Sequence, residues 1–401
     1  MEASEVEQFL LETSSLSLCR DYTQADLIIF LGCSVNKDKE ELSSKIIETI
    51  KHGKRPDAQL LPLGCIIKIR PDLARHDSNY SELTKKIKSI SRFENHNFPA
   101  ANCPYPEFWQ IADSLFERRT SSEMICGYCH RNPKGILGRV NVILEASIIK
   151  VFARYRRWID RETLVPSDKT FCLRISTGCK GNCSYCSIKL ARGSIKSRPI
   201  DDIVNSFRHG LDLGYKDFAL LGTDVSDYGK DQGKDLLDLL KKLVSHQGEF
   251  KLRLRNINPR WLIPSVDAFC EIAKTEKIAY ILCPIESGSD QILEKMDRRY
   301  NAEDFIAAAT KIRRTCPKIS IKTQILVGFP GETENDFRKS EELFRLGLFD
   351  YVEVYAYTDR QGTRAANLPN HVPKEVITQR YRKLLWKSFV GNFSKRLLLY
   401  S

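Results

Sequence analysis

The stretch STGCKGNCSYCSIK places Cys179, Cys183 and Cys186 in a CxxxCxxC triplet directly after an apolar run. Three thiolates on one short loop can bind three irons of a 4Fe-4S cluster and leave the fourth iron without a protein ligand. An open iron is a place for chemistry. The competing readings are a structural zinc loop or cysteines that only pack. Zinc sites close with four ligands, usually in CxxC pairs, which this triplet does not supply.

The triplet sits in a chain of 401 residues, 42% hydrophobic and 28% charged, enough for two or three packed domains. The first residues, MEASEVEQFLLETSS, contain neither a basic region nor an apolar one of the kind that directs export, and no uncharged apolar run approaches a membrane span. Thirteen cysteines, some tightly clustered, fit a reducing compartment and metal ligation better than a disulfide framework. These features predict a cytoplasmic protein. Of the net charge of +12, half sits in residues 118–169, where eleven Lys/Arg face five Asp/Glu. Within it, KVFARYRRWIDR interleaves Phe152, Tyr155 and Trp158 with Arg154, Arg156 and Arg157. Arginine pairs with phosphate and aromatic faces stack on bases, so the segment suits an anionic partner. An amphipathic helix with its aromatics turned inward would read the same way.

From residue 168 onward, short β-like runs alternate with helical patterns. The predicted strands are FCLRIS (171–176), DFALLG (217–222), KLRLRNI (251–257), IAYILCP (278–284), ISIKTQILVGF (319–329) and YVEVYAY (351–357). Between them lie amphipathic segments such as IDDIVNSFRHGLDLG, with Ile203, Val204, Phe207 and Leu211 at helical spacing, and TENDFRKSEELFRLGLF. Such alternation implies parallel strands joined by helical crossovers, and six units suggest an open, incomplete barrel. In such barrels the chemistry sits at the carboxyl ends of the strands. The triplet follows the first of them.

The triplet resembles that of the radical S-adenosylmethionine (SAM) superfamily. The segments CSIKLARGSIKSRPIDDI, LLGTDVSDYG, PIESGSDQILEKMDRRY, ILVGFPGETENDF and YAYTDRQGTRAA resemble, in order, successive segments of its methylthiotransferase branch, and together they span residues 171–368. The resemblance implies an α/β fold: a partial (β/α)6 radical SAM barrel preceded by a small Rossmann-like methylthiotransferase-type domain. The expected boundaries are 1–100, 101–167 for a basic insertion, 168–372 for the barrel and 373–401 for a basic terminal helix. It also implies that SAM chelates the open iron and is cleaved to a 5′-deoxyadenosyl radical that abstracts hydrogen. Tyr185 would wall the cluster and adenine. Gly222, Thr223 and Asp224 would meet SAM's amino group, a carboxylate being a good partner for an ammonium. Arg255, with Arg253 on the same strand face, would reach a carboxylate or a substrate anion. Ser287 and the backbone of Val327 and Gly328 complete the expected SAM contacts. Glu286 stands where the family more often has glutamine.

In the family a second, auxiliary 4Fe-4S cluster supplies sulfur. ADLIIFLGCSVNKDKEE and AQLLPLGC resemble strands ending at two of its cysteines, here Cys33 and Cys65. In the family three such cysteines bind this cluster, and the strand carrying the first of them is not matched, so Cys126 and Cys129 of CGYCH, with Cys103, are candidate ligands. CGYCH also fits the haem-attachment pattern CxxCH, which belongs to exported cytochromes. Cys172, Cys270, Cys283 and Cys316 read as core residues and Cys19 as a buried connection.

The family's RNA-modifying members carry a small RNA-binding barrel after the radical SAM domain. This chain stops at Ser401 after a basic helix. The expectation drawn is a radical SAM enzyme that forms a C–S bond on a small molecule, nucleoside or peptide, with transfer RNA (tRNA) as the alternative substrate. An external electron donor of the flavodoxin or ferredoxin type is expected, and no membrane partner. A non-catalytic iron–sulfur electron carrier is the reading from another class.

Overall fold

A computed structural model describes residues 22–32, 37–64 and 170–400, with side chains to Ser388. The chain divides into two compact units, Met1–Phe98 with Cys172–Ser401, and Pro99–Phe171. Nearly every described residue belongs to the first. Cys33, Cys65, Cys126, Cys129, Cys103, Cys19 and the basic segment lie outside the described residues.

The amino-terminal part is a βαβ unit. Strand β1 (Leu27–Gly32) runs into helix α1 (Lys37–Gly53), which returns the chain to β2 (Gln59–Gly64). The two strands are parallel and end level, Gly32 opposite Gly64, one residue before Cys33 and Cys65. Ile28 and Phe30 pack against Ile47 and Ile50 of α1.

The barrel begins with β3 (Thr170–Arg174) and the antiparallel ribbon β4 (Ser176–Thr177) and β5 (Lys196–Ser197), with the short helix α2 (Ile188–Arg192) between them. Then α3 (Ile200–Asp212), β6 (Asp217–Leu221), α4 (Leu236–Val244), β7 (Lys251–Leu254), α5 (Pro259–Ala273) and β8 (Ile278–Leu282) follow in strict alternation. Two helices, α6 (Asp290–Lys295) and α7 (Ala302–Thr315), precede β9 (Ser320–Val327). Helix α8 (Glu334–Glu342), β10 (Tyr351–Ala356) and α9 (Lys374–Tyr400) complete the chain. The six-stranded sheet has the order β3-β6-β7-β8-β9-β10, which is also chain order. This is the open parallel barrel that the periodicity predicts.

The outer faces of the strands bury apolar residues against the helices, as the amphipathic spacing requires. Ile203, Val204 and Phe207 of α3 are buried, and Phe207 meets Phe218 of β6 at 4.6 Å between ring centroids. Each such side chain contributes about 1.5–3 kcal/mol by leaving water. The inner faces are polar: Arg253 pairs with Asp217 at 2.8 Å, and Lys322, almost fully buried, pairs with Glu353 at 2.9 Å. All six strands end one to three residues earlier than the sequence suggests, and at two of them a single backbone conformation accounts for it. Asn256 takes a left-handed φ of 57° beyond β7, and Gly328 a φ of 80° beyond β9, which stops the extended ladder at each place. No helix among the described residues is long and apolar enough to cross a membrane.

Candidate functional site

The cysteine loop starts where β4 ends, shortly after β3. Gly178 has φ 72°, and a Cβ there would stand 2.0 Å from the Ser194 carbonyl, so only glycine lets the chain turn into the loop. The Cys179 N–H donates to Gly193 O at 3.2 Å, and Cys186 N–H to Cys183 O at 3.2 Å. At Gly181 a Cβ would lie 3.0 Å from the Cys179 sulfur and 4.0 Å from the Cys183 sulfur, so the two thiols flank this glycine. The charge of Cys183 also bears on Cys186. The three cysteines converge.

Three neighbouring segments fasten the loop. Ser184 donates through its N–H to Met296 O at 3.0 Å and through its hydroxyl to Lys295 O at 2.8 Å, while Ala365 N–H donates to Ser184 O at 2.9 Å. The Asp227 carboxylate accepts Lys180 N–H at 2.7 Å and Lys230 Nζ at 2.8 Å, and lies 3.6 Å from the Cys179 sulfur. Burial works against its ionisation. The hydrogen bond and charge of Lys230, the Lys180 N–H and the Arg260 charge outweigh that and hold its carboxyl below the usual range. Arg298, 7% exposed, donates through Nη1 to the Cys183 sulfur at 3.3 Å.

These residues suit a cationic cluster. Burial, with the charge of Asp224, pushes the Cys179 thiol up to about 12, and burial pushes Cys186 up as well. Such thiols ionise only beside positive charge, which iron provides. Gly181 N–H, 3.1 Å from the Cys179 sulfur, and Arg298 offer N–H donors to sulfur, a feature of iron–thiolate sites.

The residues expected to meet SAM are placed unevenly. Asp224 stands beside Cys179, ligand atoms of Cys179, Asp224 and Asp227 lying within 4.8 Å of one another. One oxygen of Asp224 accepts Ser226 N–H at 3.0 Å and the other Asn258 Nδ2 at 3.3 Å. Burial and the charge of Asp227 raise its pKa. Gly222 is set by packing, since a Cβ would lie 2.7 Å from Ser176 Oγ; Thr223 follows it at the carboxyl end of β6. Arg253 is engaged by Asp217, whereas the buried Nε of Arg255 has no hydrogen-bond partner among the described residues. Tyr185 packs edge-on against Phe329 at 6.4 Å and hydrogen-bonds Glu286. Ser287 is turned to α8, its hydroxyl 3.3 Å from that of Ser340. The carbonyl of Val327 accepts Tyr357 N–H at 2.8 Å. At Gly328 a Cβ would stand 2.5 Å from Ile377, so the approach this glycine allows is that of α9.

Cys270, Cys283 and Cys316 are buried as expected; Cys172 is only partly buried, and the charges of Arg255 and Asp217 act on it, which places it towards the polar lumen. Asp227 and Arg298 do not stand out in the sequence, although both lie in segments that resemble the family, LLGTDVSDYG and EKMDRRY. A third such residue is Arg360. Its Nη2 lies 3.3 Å from Ser187 Oγ, next to Cys186, and its Nη1 2.8 Å from Glu40 of α1.

Residues 173–344 match the profile of the Radical SAM superfamily. The chain is 36% identical over 382 residues to a probable threonylcarbamoyladenosine tRNA methylthiotransferase of Pyrococcus horikoshii, covering 95% of this chain and 79% of that protein. It is 30% identical over 366 residues to a tRNA-2-methylthio-N(6)-dimethylallyladenosine synthase of Carboxydothermus hydrogenoformans, covering 90% and 74%. Among solved structures, the radical SAM methyltransferase TsrM of Kitasatospora setae superposes with a TM-score of 0.52 at 15% identity, over 90% of this chain and 68% of that one, a likeness of fold. A cysteine triplet at the mouth of an open parallel barrel, with relatives of this identity along most of its length, makes the chain a member of the radical SAM methylthiotransferase family.

Proposed function

We propose that this radical SAM enzyme transfers a methylthio group to an N6-modified adenosine of tRNA, threonylcarbamoyladenosine in the first instance. The observation that carries this reading is the 36% identity to the Pyrococcus horikoshii protein along 95% of the chain. The excess of 63 Lys/Arg over 51 Asp/Glu suits a polyanionic substrate. The small-molecule substrate expected from the sequence rested on where the chain stops, which is no property of the site, so tRNA takes first place.

When bound, the cluster and SAM supply one-electron cleavage of SAM and hydrogen abstraction from an unactivated carbon. Cys179, Cys183 and Cys186 would hold three irons. Asp227 holds the loop in place through Lys180 N–H. Arg255, the lumen arginine whose Nε lacks a partner among the described residues, would take the SAM carboxylate, and Asp224 would take its amino group. Tyr185 and Phe329 would close the apolar side of the site. Cys33 and Cys65, following two strands that end side by side, would carry the auxiliary cluster, with Cys126 and Cys129 as further ligands.

The test is anaerobic incubation of reconstituted protein with SAM, a low-potential reductant and tRNA bearing threonylcarbamoyladenosine, followed by mass spectrometry of the nucleosides. The expected product carries a methylthio group on adenine. Cys33→Ala and Cys65→Ala should abolish it while sparing 5′-deoxyadenosine formation. Formation of 5′-deoxyadenosine with no methylthio nucleoside from any tRNA would remove this substrate assignment and leave the radical SAM chemistry standing.

A further inference from the structure

Beyond the end of α6 the chain makes an unusual reversal. Asp297 and Arg299 both have φ of 56°, the left-handed region, on either side of Arg298. A left-handed conformation is strained for a residue other than glycine, and such strain persists only where the surroundings impose it. Here Asn182 Nδ2 donates to Asp297 at 3.3 Å, Arg364 pairs with Asp297 at 2.8 Å, and Ser184 holds Lys295 O and Met296 O. The effect is to turn Asp297 and Arg299 outward and Arg298 inward.

Once inside, the guanidinium is held at three points. Nη2 donates to Pro284 O at 2.9 Å, Nε to the Tyr300 hydroxyl oxygen at 3.0 Å, and Nη1 is aimed at the Cys183 sulfur at 3.3 Å. Tyr300 is fixed in turn, since its own hydroxyl proton goes to Ile285 O at 2.7 Å. Among the described residues no carboxylate stands at ion-pair distance from Arg298; Glu286 and Asp224 interact with it only from further away. A buried cation without a counterion is costly, and of the three partners its N–H groups reach, Cys183 is the one that would become an anionic cluster ligand.

We propose that Arg298 is a positioning residue that sets the reduction potential of the cluster held by Cys179, Cys183 and Cys186. The reduced cluster carries one more negative charge than the oxidised one. A fixed guanidinium donating to a ligand sulfur stabilises that charge, so Arg298 makes one-electron reduction by an external donor easier. The inference rests on the cluster reading and is independent of the substrate.

Potentiometric titration of reconstituted protein, followed by electron paramagnetic resonance, tests it on the wild type, Arg298→Met, Arg298→Lys and Tyr300→Phe, each with iron and sulfide measured. In Arg298→Met the ratio of reduced to oxidised cluster at a fixed donor potential should fall about tenfold, ~59 mV for a one-electron couple. Arg298→Lys keeps the charge but loses the fork and should move less, in the same direction. Tyr300→Phe leaves the guanidinium but removes one anchor, and should move least. Should Arg298→Met fail to retain iron, the sign of the shift in the other two variants decides. Unchanged or more positive midpoints at full iron content would overturn the proposal, whereas absence of any reducible cluster in the wild type would overturn the reading beneath it.

Discussion

Asp227 is fully buried, yet it is surrounded by donors: Lys230 just beyond its own turn and, from distant parts of the chain, Lys180 N–H on the cysteine loop and Arg260 at the start of α5. Its neighbour Asp224 competes for the same space, and the two are driven apart electrostatically: Asp227 is held ionised by its cations while Asp224 is pushed towards protonation. Asp227→Asn keeps the shape and one acceptor but removes both ion pairs. Hydrogen bonds to charged groups contribute about 1.5–3 kcal/mol, and Lys230 and Arg260 are partly exposed, so the expected loss is about 1–3 kcal/mol. Thermal denaturation of the apoprotein should show that loss, and the reconstituted variant should retain less iron after desalting than wild type. Equal stability and equal iron would mean the loop does not depend on this carboxylate. The role of Asp227 could not be read from LLGTDVSDYG, because Lys180 and Arg260, which tie it to the cysteine loop and to α5, lie at other places in the sequence. The same holds for Arg298, which looks like any basic residue of a turn until Cys183 is found beside it.

At the level of elements, the alternation of apolar strands with amphipathic helices carried most of the barrel, since periods of two and of 3.6 residues are imposed by burial itself. What the pattern did not carry was the position of strand ends set by single backbone conformations, such as Asn256 beyond β7. Nor did it carry the reason for Gly328, whose missing side chain makes room for Ile377 of α9. That helix is tied to the same turn by an ion pair: Arg380 reaches Glu332 at 2.8 Å, and the same Glu332 oxygen accepts Gly328 N–H at 2.8 Å. Burial raises the Glu332 carboxyl to about 7, against the pull of the Gly328 N–H and Arg380. An acid whose pKa is higher in the folded state binds more protons folded than unfolded. Its contribution is therefore most favourable below pH ~4.5 and is lost as pH rises towards ~7, at up to about 1.4 kcal/mol per pH unit. Other groups titrate in the same interval, so the informative quantity is the difference from Glu332→Gln, which cannot titrate. Between pH 5 and 7.5 the stability of the wild type should fall more steeply than that of the variant. Parallel curves would show that Glu332 is ionised throughout.

For the whole molecule, the distribution of charge is the property that bears most directly on the substrate. A surplus of six positive charges lies in residues 118–169, together with the aromatic and basic run KVFARYRRWIDR, and none of this segment before Thr170 is among the described residues. Its contribution is thus legible only as composition, just as Cys33 and Cys65 are legible only through the paired strands that lead to them. If tRNA is the substrate, pairing with phosphates should supply much of the affinity, and each phosphate neutralised releases counterions and steepens the salt dependence. The unmodified protein should then bind tRNA with submicromolar affinity at low salt and weaken sharply as salt rises. Reversing the charge of Arg154, Arg156 and Arg157 frees up to three phosphates, and the slope of log affinity against log salt should flatten by roughly 0.9 for each phosphate freed, taking the duplex value. SAM cleavage without substrate should be untouched, because the cysteine loop and its supports lie elsewhere in the sequence. Binding that is weak, insensitive to salt and indifferent to the charge reversal would return the small-molecule or peptide substrate to first place.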